Sequence, residues 1–530
     1  MAKSRAAVCA FVFALVCVSC SPAAPAFLTA PSVAAVTRTP CCRGGALSAG
    51  RRPLQLRAAS TATSQVAAFS ALAAWLKEGG GRVHRAVEFV EDDRGAGRGL
   101  RVADSIAEGE LLVSVPRTKC LSCQAEPHGA DRTLLELTAP KIRGMQLGLM
   151  VLQGKLGNGS QASSFGPYFE MLPSSYDSLP VYFAQDIPEL QFSHVEQQAV
   201  ARVKEILRVT QICQSCTGSD HPVDGIDIEQ VLWAHATASS RALRLEGMHE
   251  ALVPMIDLIN HSFDANCRLG DEGARGVGVR AVRNLNAGES LRLNYGDLPN
   301  DDLVLDYGFV VEENPHDFVR LPAGALSYAL QESVASFQRV LALEETEDFL
   351  SEDEARALSA AQLRLLHASG LSNVTNIIIM RDGEVEAKSM ALVRVLVLRS
   401  PSEAAGVTSA LEITDDAIEE RARDVIRRLC TLALKQLPTS TSHDMRLVHG
   451  DGGPAGTSLA MKGTPAGSNG DAGKGRGVAG NGEAGEGEGK MPADAEWEGK
   501  TRSELGSAIS AVEFRLAHKH ILNRAVRLHT

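Results

Sequence analysis

Apolar and polar positions alternate over short runs in the first part of the chain body. Val83–Val90, Leu100–Ala103 and Glu110–Val115 therefore predict strands. The glycine-rich turn Arg94-Gly95-Ala96-Gly97-Arg98-Gly99 separates the first two. From about 125 to 250 the period lengthens, and Trp233–Leu245 has helical spacing. Strand-like runs return at Gly276–Val282 and Leu291–Tyr295, joined by the turn Asn286-Ala287-Gly288-Glu289. Beyond Pro322 the pattern is helical. Ser351-Glu352-Asp353-Glu354 is a capping box ahead of Leu358, Leu363 and Leu365. Ile418, Ala422, Val425, Leu429 and Leu432 share a face of a helix that stops near Pro438. Leu505, Ile509, Val512 and Leu516 predict a closing helix. Ile377-Ile378-Ile379 ahead of Asp382-Gly383 also fits a hairpin, and the sequence leaves that open.

Composition changes this picture at two places. Fifteen of the 48 glycines fall within 451–500, too many for a packed core, so 447–500 reads as a disordered insert. Residues 1–60 contain seven basic residues and no acid; the first acid is Glu78. The net charge of the chain is −11, so removing that +7 leaves about −18 for the body. So acidic a body does not suggest a nucleic-acid binder, which needs a basic face.

Lys3 and Arg5 precede an apolar run, Ala6–Val18, and the small residues Ala24-Pro25-Ala26 follow. That order predicts a signal peptide over 1–26, its apolar core too short to span a bilayer. Residues 27–60, starting at Phe27, have transit-peptide composition. The two together resemble a bipartite plastid leader, which implies the plastid stroma; the alternative is secretion with a disordered propeptide. No membrane segment is expected in the mature form. Five of the 11 cysteines lie in this leader, and six spread over the body do not suggest a disulfide framework.

Several chemistries lack their motifs. The chain has no Gly-x-x-x-x-Gly-Lys-Ser/Thr, no Gly-x-Ser-x-Gly and no His-Glu-x-x-His. The residues before Gly95-x-Gly97-x-Gly99 are Glu91-Asp92-Asp93-Arg94, not the apolar strand a dinucleotide site needs. Three further stretches matter: Val253-Pro254-Met255-Ile256-Asp257-Leu258-Ile259-Asn260-His261-Ser262, then Leu291-Arg292-Leu293-Asn294-Tyr295-Gly296-Asp297, then Leu305-Asp306-Tyr307-Gly308-Phe309.

In this order and at these gaps, the motifs resemble the SET-domain protein methyltransferases. The nearer likeness is to the plant-type Rubisco large-subunit lysine methyltransferases. It runs from about Ala71 to Arg320, including the helical insert with Trp233 and Ser240-Arg241-Ala242. The resemblance implies an α+β protein: a β-rich SET domain over 71–320 with a helical insert (about 125–250). An all-α substrate-binding domain would follow over 322–530, interrupted by the Gly-rich insert.

It further implies methyl transfer from S-adenosylmethionine to a lysine side chain of a protein substrate, without a metal. Tyr295 would be the catalytic tyrosine and would also meet the substrate. Gly97, Arg98, Gly99, Arg241, Asn260, His261, Tyr307 and Phe309 would bind the cofactor, Arg241 through its carboxylate. Tyr307 and Phe309 would also line the lysine channel. Asp257 would either position the substrate or fix the Asn260 loop. A related branch of the fold methylates histidine, with pocket residues such as Ala242 deciding; a non-catalytic SET-like binding module is the other alternative. The chain departs from the family at Ala96, where a Glu is common, and at Arg244, one residue early for a second arginine. The pairs Cys120/Cys123 and Cys213/Cys216 are about 90 residues apart, wide for one zinc site, and read as free thiols.

Overall fold

The alternating runs form short, mostly antiparallel strands around the segments that carry the motifs. The computed structural model describes residues 62–449 and 507–530, apart from 93–96, 124–141, 143, 157–163, 180–185, 216–225, 246–248, 274–275, 327–328, 330–350, 406, 408 and 413–414. The leader, Ala96, Cys216 and the Gly-rich segment from 450 lie outside the described residues. Helix α1 (Ala62–Glu78) leads into β1 (Arg82–Val83), β2 (Val87–Asp92), β3 (Gly97–Val102) and β4 (Leu111–Val115). All five residues of β4 are buried. It lies between β1 and β10 (Val277–Ala281), and β9 (Cys267–Asp271) completes the sheet in the order β1-β4-β10-β9. β2 and β3 pair separately, with Glu91 opposite Arg98, and β5 (Leu121–Ser122) follows β4 in the chain.

The insert comprises α2 (Met145–Lys155), α3 (Gly166–Met171), α4 (Ser193–Ser215) and α5 (Ile228–Arg241). A reciprocal box between Asp227 and Gln230 satisfies the first free N–H groups of α5. Trp233 is fully buried and donates through Nε1 to the Pro173 carbonyl at 2.8 Å. The helix expected over Trp233–Leu245 ends at Arg241. Ala242 turns the chain into extended geometry, and Leu243–Leu245 form β6 against β7 (His249–Leu252). Ladder bonds to β7 hold these residues extended, which helical spacing alone cannot foresee.

The C-terminal region is helical apart from one strand. β12 (Phe318–Pro322) pairs antiparallel with β13 (Asn376–Met380), so the open Ile377–Ile379 segment is a strand. The turn after it brings Val385 back to bridge Ile379. Helices α6 (Glu352–Ala368), α7 (Ala387–Leu396), α8 (Asp416–Gln436), α9 (Thr441–His449) and α10 (Ser507–Leu528) follow, with one further turn of helix at Pro401–Ala405. Ser351 and Glu354 form the expected box at the start of α6. α8 buries Ile418, Ala422, Val425 and Leu429, its spaced apolar face. Among the described residues no helix is long and apolar enough to cross a membrane.

Helix α10 returns to the first domain carrying buried charge. Arg515 and Lys519 are each 1% exposed and share Asp444, which is 0% exposed. Arg515 also reaches Glu189 in the insert, and Lys519 bonds Gln191. Breaking such a buried pair costs about 3–5 kcal/mol, because one charge is left desolvated. Ser510 on the same helix donates to the Gly308 carbonyl at 3.0 Å, between Tyr307 and Phe309.

Candidate active site

The site begins at the turn into β3. Gly97 has φ +67°, where side chains other than glycine are disfavoured. Gly99 serves a different need. A Cβ there would lie 2.9 Å from Asn260 Nδ2, so its bareness admits the Asn260 amide. That amide donates to the Arg98 carbonyl at 3.2 Å. The turn and the Asn-His segment are thereby locked together across 162 positions of sequence.

Asn260 and His261 form β8, which runs parallel to β11 (Arg292–Leu293) with Asn260 opposite Arg292 and His261 opposite Leu293. The segment is entered through Met255, a buried non-glycine residue at φ +74°. A left-handed methionine is strained and persists only where its surroundings enforce it. Here it initiates the 3-10 turn Ile256–Leu258.

Charge concentrates behind this strand. Arg241 Nη1 donates to the Asp257 carbonyl at 3.0 Å and to its carboxylate Oδ2 at 3.3 Å. Arg241 Nε donates to the Tyr176 hydroxyl at 3.4 Å, and the Tyr168 hydroxyl donates to Asp257 Oδ2 at 2.9 Å. Burial pushes the Asp257 carboxyl above its ordinary range, against Arg241 and the Tyr168 bond. Burial would lower Arg241, but Tyr176, Asp257 and Tyr168 more than offset it and keep it cationic. Arg98 joins the group: Nη1 donates to the Met171 carbonyl at 2.9 Å and to Gln65 Oε1 at 3.4 Å. Burial, reinforced by Arg241, lowers Arg98 to about 10, which still leaves it charged at neutral pH.

On the other side lies a box of rings. Tyr295 stands 5.1 Å from His261 and 5.2 Å from Tyr307, centre to centre. Phe309 is 5.9 Å from His261 and 6.0 Å from Tyr307. The Tyr295 hydroxyl donates to the Ile259 carbonyl at 2.7 Å, and burial raises its pKa so that it stays protonated. Burial lowers His261 to about 4, so the imidazole is neutral. Its Nδ1 accepts from the Tyr295 N–H at 3.2 Å, which assigns the ring proton to Nε2.

Three buried polar atoms in this region have no hydrogen-bond partner among the described residues: Arg98 Nη2, Asp257 Oδ1 and His261 Nε2. Leaving such groups unpaired is costly, and functional sites are where it is tolerated. Two donors and one acceptor suit a small polar ligand, and the rings beside them suit a cation.

The residues singled out in the sequence are thus connected. Gly97, Arg98 and Gly99 meet Asn260; His261 meets Tyr295, Tyr307 and Phe309; Arg241 meets Asp257. Asp257 buttresses Arg241 through both its main chain and its carboxylate. Arg244 is exposed on β6. Sequence reasoning missed Tyr168, Tyr176, Gln65 and the strained Met255. Tyr168 is 89 positions from Asp257, and no spacing rule links them. Cys120 and Cys123 carry free thiols that burial raises to about 11 each. Among the described residues no cluster of His, Cys, Asp or Glu could hold a metal ion.

These elements define a SET-domain protein: the SET domain family model matches residues 97–296, from the glycine turn to the residue after Tyr295. More particularly, the chain carries a SET domain followed by a Rubisco LSMT substrate-binding domain, whose model matches 353–462. The crystal structure of the SET domain of LSMT bound to lysine and AdoHcy has the same fold. Its TM-score is 0.56 at 16% identity, over 89% of this chain and 92% of that one. Rubisco LSMT bound to AdoMet matches with a TM-score of 0.56 at 18% identity, over 87% and 91% of the two chains. SET domain-containing protein 4 of Mus musculus is 26% identical over 279 residues, 49% of this chain and 62% of that protein. The actin-histidine N-methyltransferase of Canis lupus familiaris is 25% identical over 401 residues, 72% of this chain and 59% of that protein. The chain spans about half to three fifths of the length of the curated relatives it matches.

Proposed function

We propose that the protein is an S-adenosylmethionine-dependent protein methyltransferase that modifies a lysine side chain of a folded protein. The observation that carries this reading is the junction, at Tyr295 and His261, of a buried polar cluster with an aromatic box. The cluster fits the cofactor: its unpaired donors and acceptor complement a ligand bearing carboxylate, ammonium and heterocyclic groups. Gly97, Arg98, Gly99, Arg241, Asn260 and His261 would hold it. Bound there, S-adenosylmethionine supplies a methyl group activated by a positive sulfur.

What remains for the protein is alignment, which can contribute many kcal/mol to an in-line displacement. The Tyr295 hydroxyl donates its hydrogen bond to the Ile259 carbonyl, so its oxygen lone pairs are free to accept from an incoming amine. Because burial raises its pKa, it orients the amine rather than removing its proton. Free lysine has a pKa of about 10.4, and desolvation between the faces of Tyr307 and Phe309 favours the neutral nucleophile. Those faces also stabilise the cationic product.

The substrate-binding domain over 353–462 supports a folded protein partner. The stromal Rubisco large subunit or fructose-bisphosphate aldolase fits the plastid-like composition of the leader. A histidine target has its own support, since several relatives are actin-histidine N-methyltransferases at 24–27% identity. The test is to incubate the full chain, beside Tyr295→Phe, with labelled S-adenosylmethionine and stromal extract, and to map the label by mass spectrometry. Tyr295-dependent label on lysine is expected. Label on histidine would replace lysine as the target. No label from a chain that binds S-adenosylhomocysteine would overturn catalysis in favour of a binding module.

A further inference from the structure

Within the glycine turn the backbone is already accounted for, because the Arg98 carbonyl accepts from Asn260. The Arg98 side chain is not. It enters the protein rather than solvent, is pinned through Nη1 to Met171, and leaves Nη2 buried without a partner among the described residues. We propose that the Arg98 guanidinium adds a grip on the carboxylate of the cofactor's amino-acid end, beside the role the resemblance gives to Arg241. This rests on the cofactor reading above.

Arg241 is already partly engaged. Its Nη1 donates to the Asp257 carbonyl and to carboxylate Oδ2, and its Nε donates to Tyr176. That pair is nearly self-neutralising. Arg98 lies within electrostatic reach of both its members, so among the described residues this pocket carries two guanidinium groups against one buried carboxylate. Glu91, opposite Arg98 in the β2–β3 ladder, is exposed and weakens in water as a counter-charge. One further buried anion balances the pocket, and a ligand carboxylate is such an anion. A guanidinium fixed at one nitrogen keeps another N–H aimed without paying the full ordering entropy of a free arginine. The rival role is purely structural: Arg98 ties the turn to α1 through Gln65 and to α3 through Met171.

Two probes separate these roles. S-adenosylhomocysteine carries the amino-acid end, whereas 5′-methylthioadenosine keeps the adenosine and sulfur but lacks it. Calorimetric titration of the full chain and of Arg98→Met should show S-adenosylhomocysteine affinity falling about tenfold or more, the loss expected for one hydrogen bond to a charged group. Affinity for 5′-methylthioadenosine should stay within about twofold, which also reports an intact site. Arg98→Lys, which keeps the charge, should lose less for the first probe and nothing for the second. Equal loss of both probes by Arg98→Met and Arg98→Lys would leave only the structural role. Unchanged affinity for both would also overturn the inference while sparing the cofactor reading. Failure of the unsubstituted chain to bind S-adenosylhomocysteine would overturn both.

Discussion

The main-chain N–H of Tyr295 donates to His261 Nδ1 at 3.2 Å, while the Tyr295 hydroxyl reaches the Ile259 carbonyl at 2.7 Å. One residue thus holds the Asn-His segment from both its ends. The first bond fixes the histidine tautomer, and the second fixes the phenol that faces the aromatic box.

Tyr295→Phe removes the hydroxyl and keeps the ring and the N–H. Turnover of the methylated substrate should fall by about a hundredfold or more, as for loss of an oriented polar group at a reacting centre. S-adenosylhomocysteine affinity should change by less than about threefold, and stability by about 1 kcal/mol. Single-turnover kinetics beside calorimetric titration would measure these separately. Equal losses in binding and turnover would mean that the hydroxyl serves cofactor retention.

Asp257→Ala leaves Arg241 buried without its carboxylate partner, and Tyr168 without its acceptor. Stability should drop by about 3–5 kcal/mol, read as a lower urea midpoint. The double variant Asp257→Ala with Arg241→Met should lose less than the sum of the two single losses, because the stranded charge is gone. Strict additivity would show that the two groups do not act as a pair.

The contact between α10 and the first domain should depend on pH. His518 offers Nε2 to Asp301 and Nδ1 to the Phe514 carbonyl, both at 3.1 Å, and only the imidazolium can donate to both. Burial opposes that charge, but Asp317 and Asp301 hold the pKa above its usual 6.5. A raised folded value gives stabilisation that is full below the unfolded value of about 6.5 and is lost as pH rises through the higher folded value. Asp301, lowered by His518 and Arg320 against burial, stays ionised at this end of the scale. The stability difference between the unsubstituted chain and His518→Gln should therefore be largest near pH 6 and shrink toward pH 9. It should reach about 1.5–3 kcal/mol in urea titrations at the acidic end. A difference that grew with pH would show that the histidine is held neutral.

Cys120 and Cys123 should behave as inert thiols. With both raised to about 11 by burial, about one molecule in ten thousand carries a given thiolate at pH 7. Alkylation by iodoacetamide should run well below the rate of an unperturbed thiol, and chelators should leave the melting temperature unchanged. Fast alkylation, or a chelator-induced drop, would restore a redox or metal role to the pair.

Much of this was legible in the linear chain because it is encoded locally. The capping box at Ser351 lies within one helical turn, and the apolar face of α8 recurs at helical steps. The motifs around Gly97, Asn260, Tyr295 and Tyr307 could be read for the same reason. The order of those motifs was also enough to expect the SET domain and the substrate-binding domain that the comparisons show. Local pattern failed where long-range ladders decide. Leu243–Leu245 leave the expected helix because β7 claims their backbone, whereas Ile377–Ile379, which the sequence left open, form a strand because β12 lies alongside.

The charge chemistry of the site belongs to the tertiary structure alone. Nothing in the spacing of Tyr168, Tyr176, Arg98 and Asp257 announces that they share one buried pocket. Nor does it say that Gly99 is bare to admit Asn260. The sequence determined which chemical groups the protein possesses and which short segments present them. Folding decided which of those groups are desolvated together, and burial is what gives a guanidinium, a carboxylate or an imidazole its working pKa and its unmet hydrogen bonds.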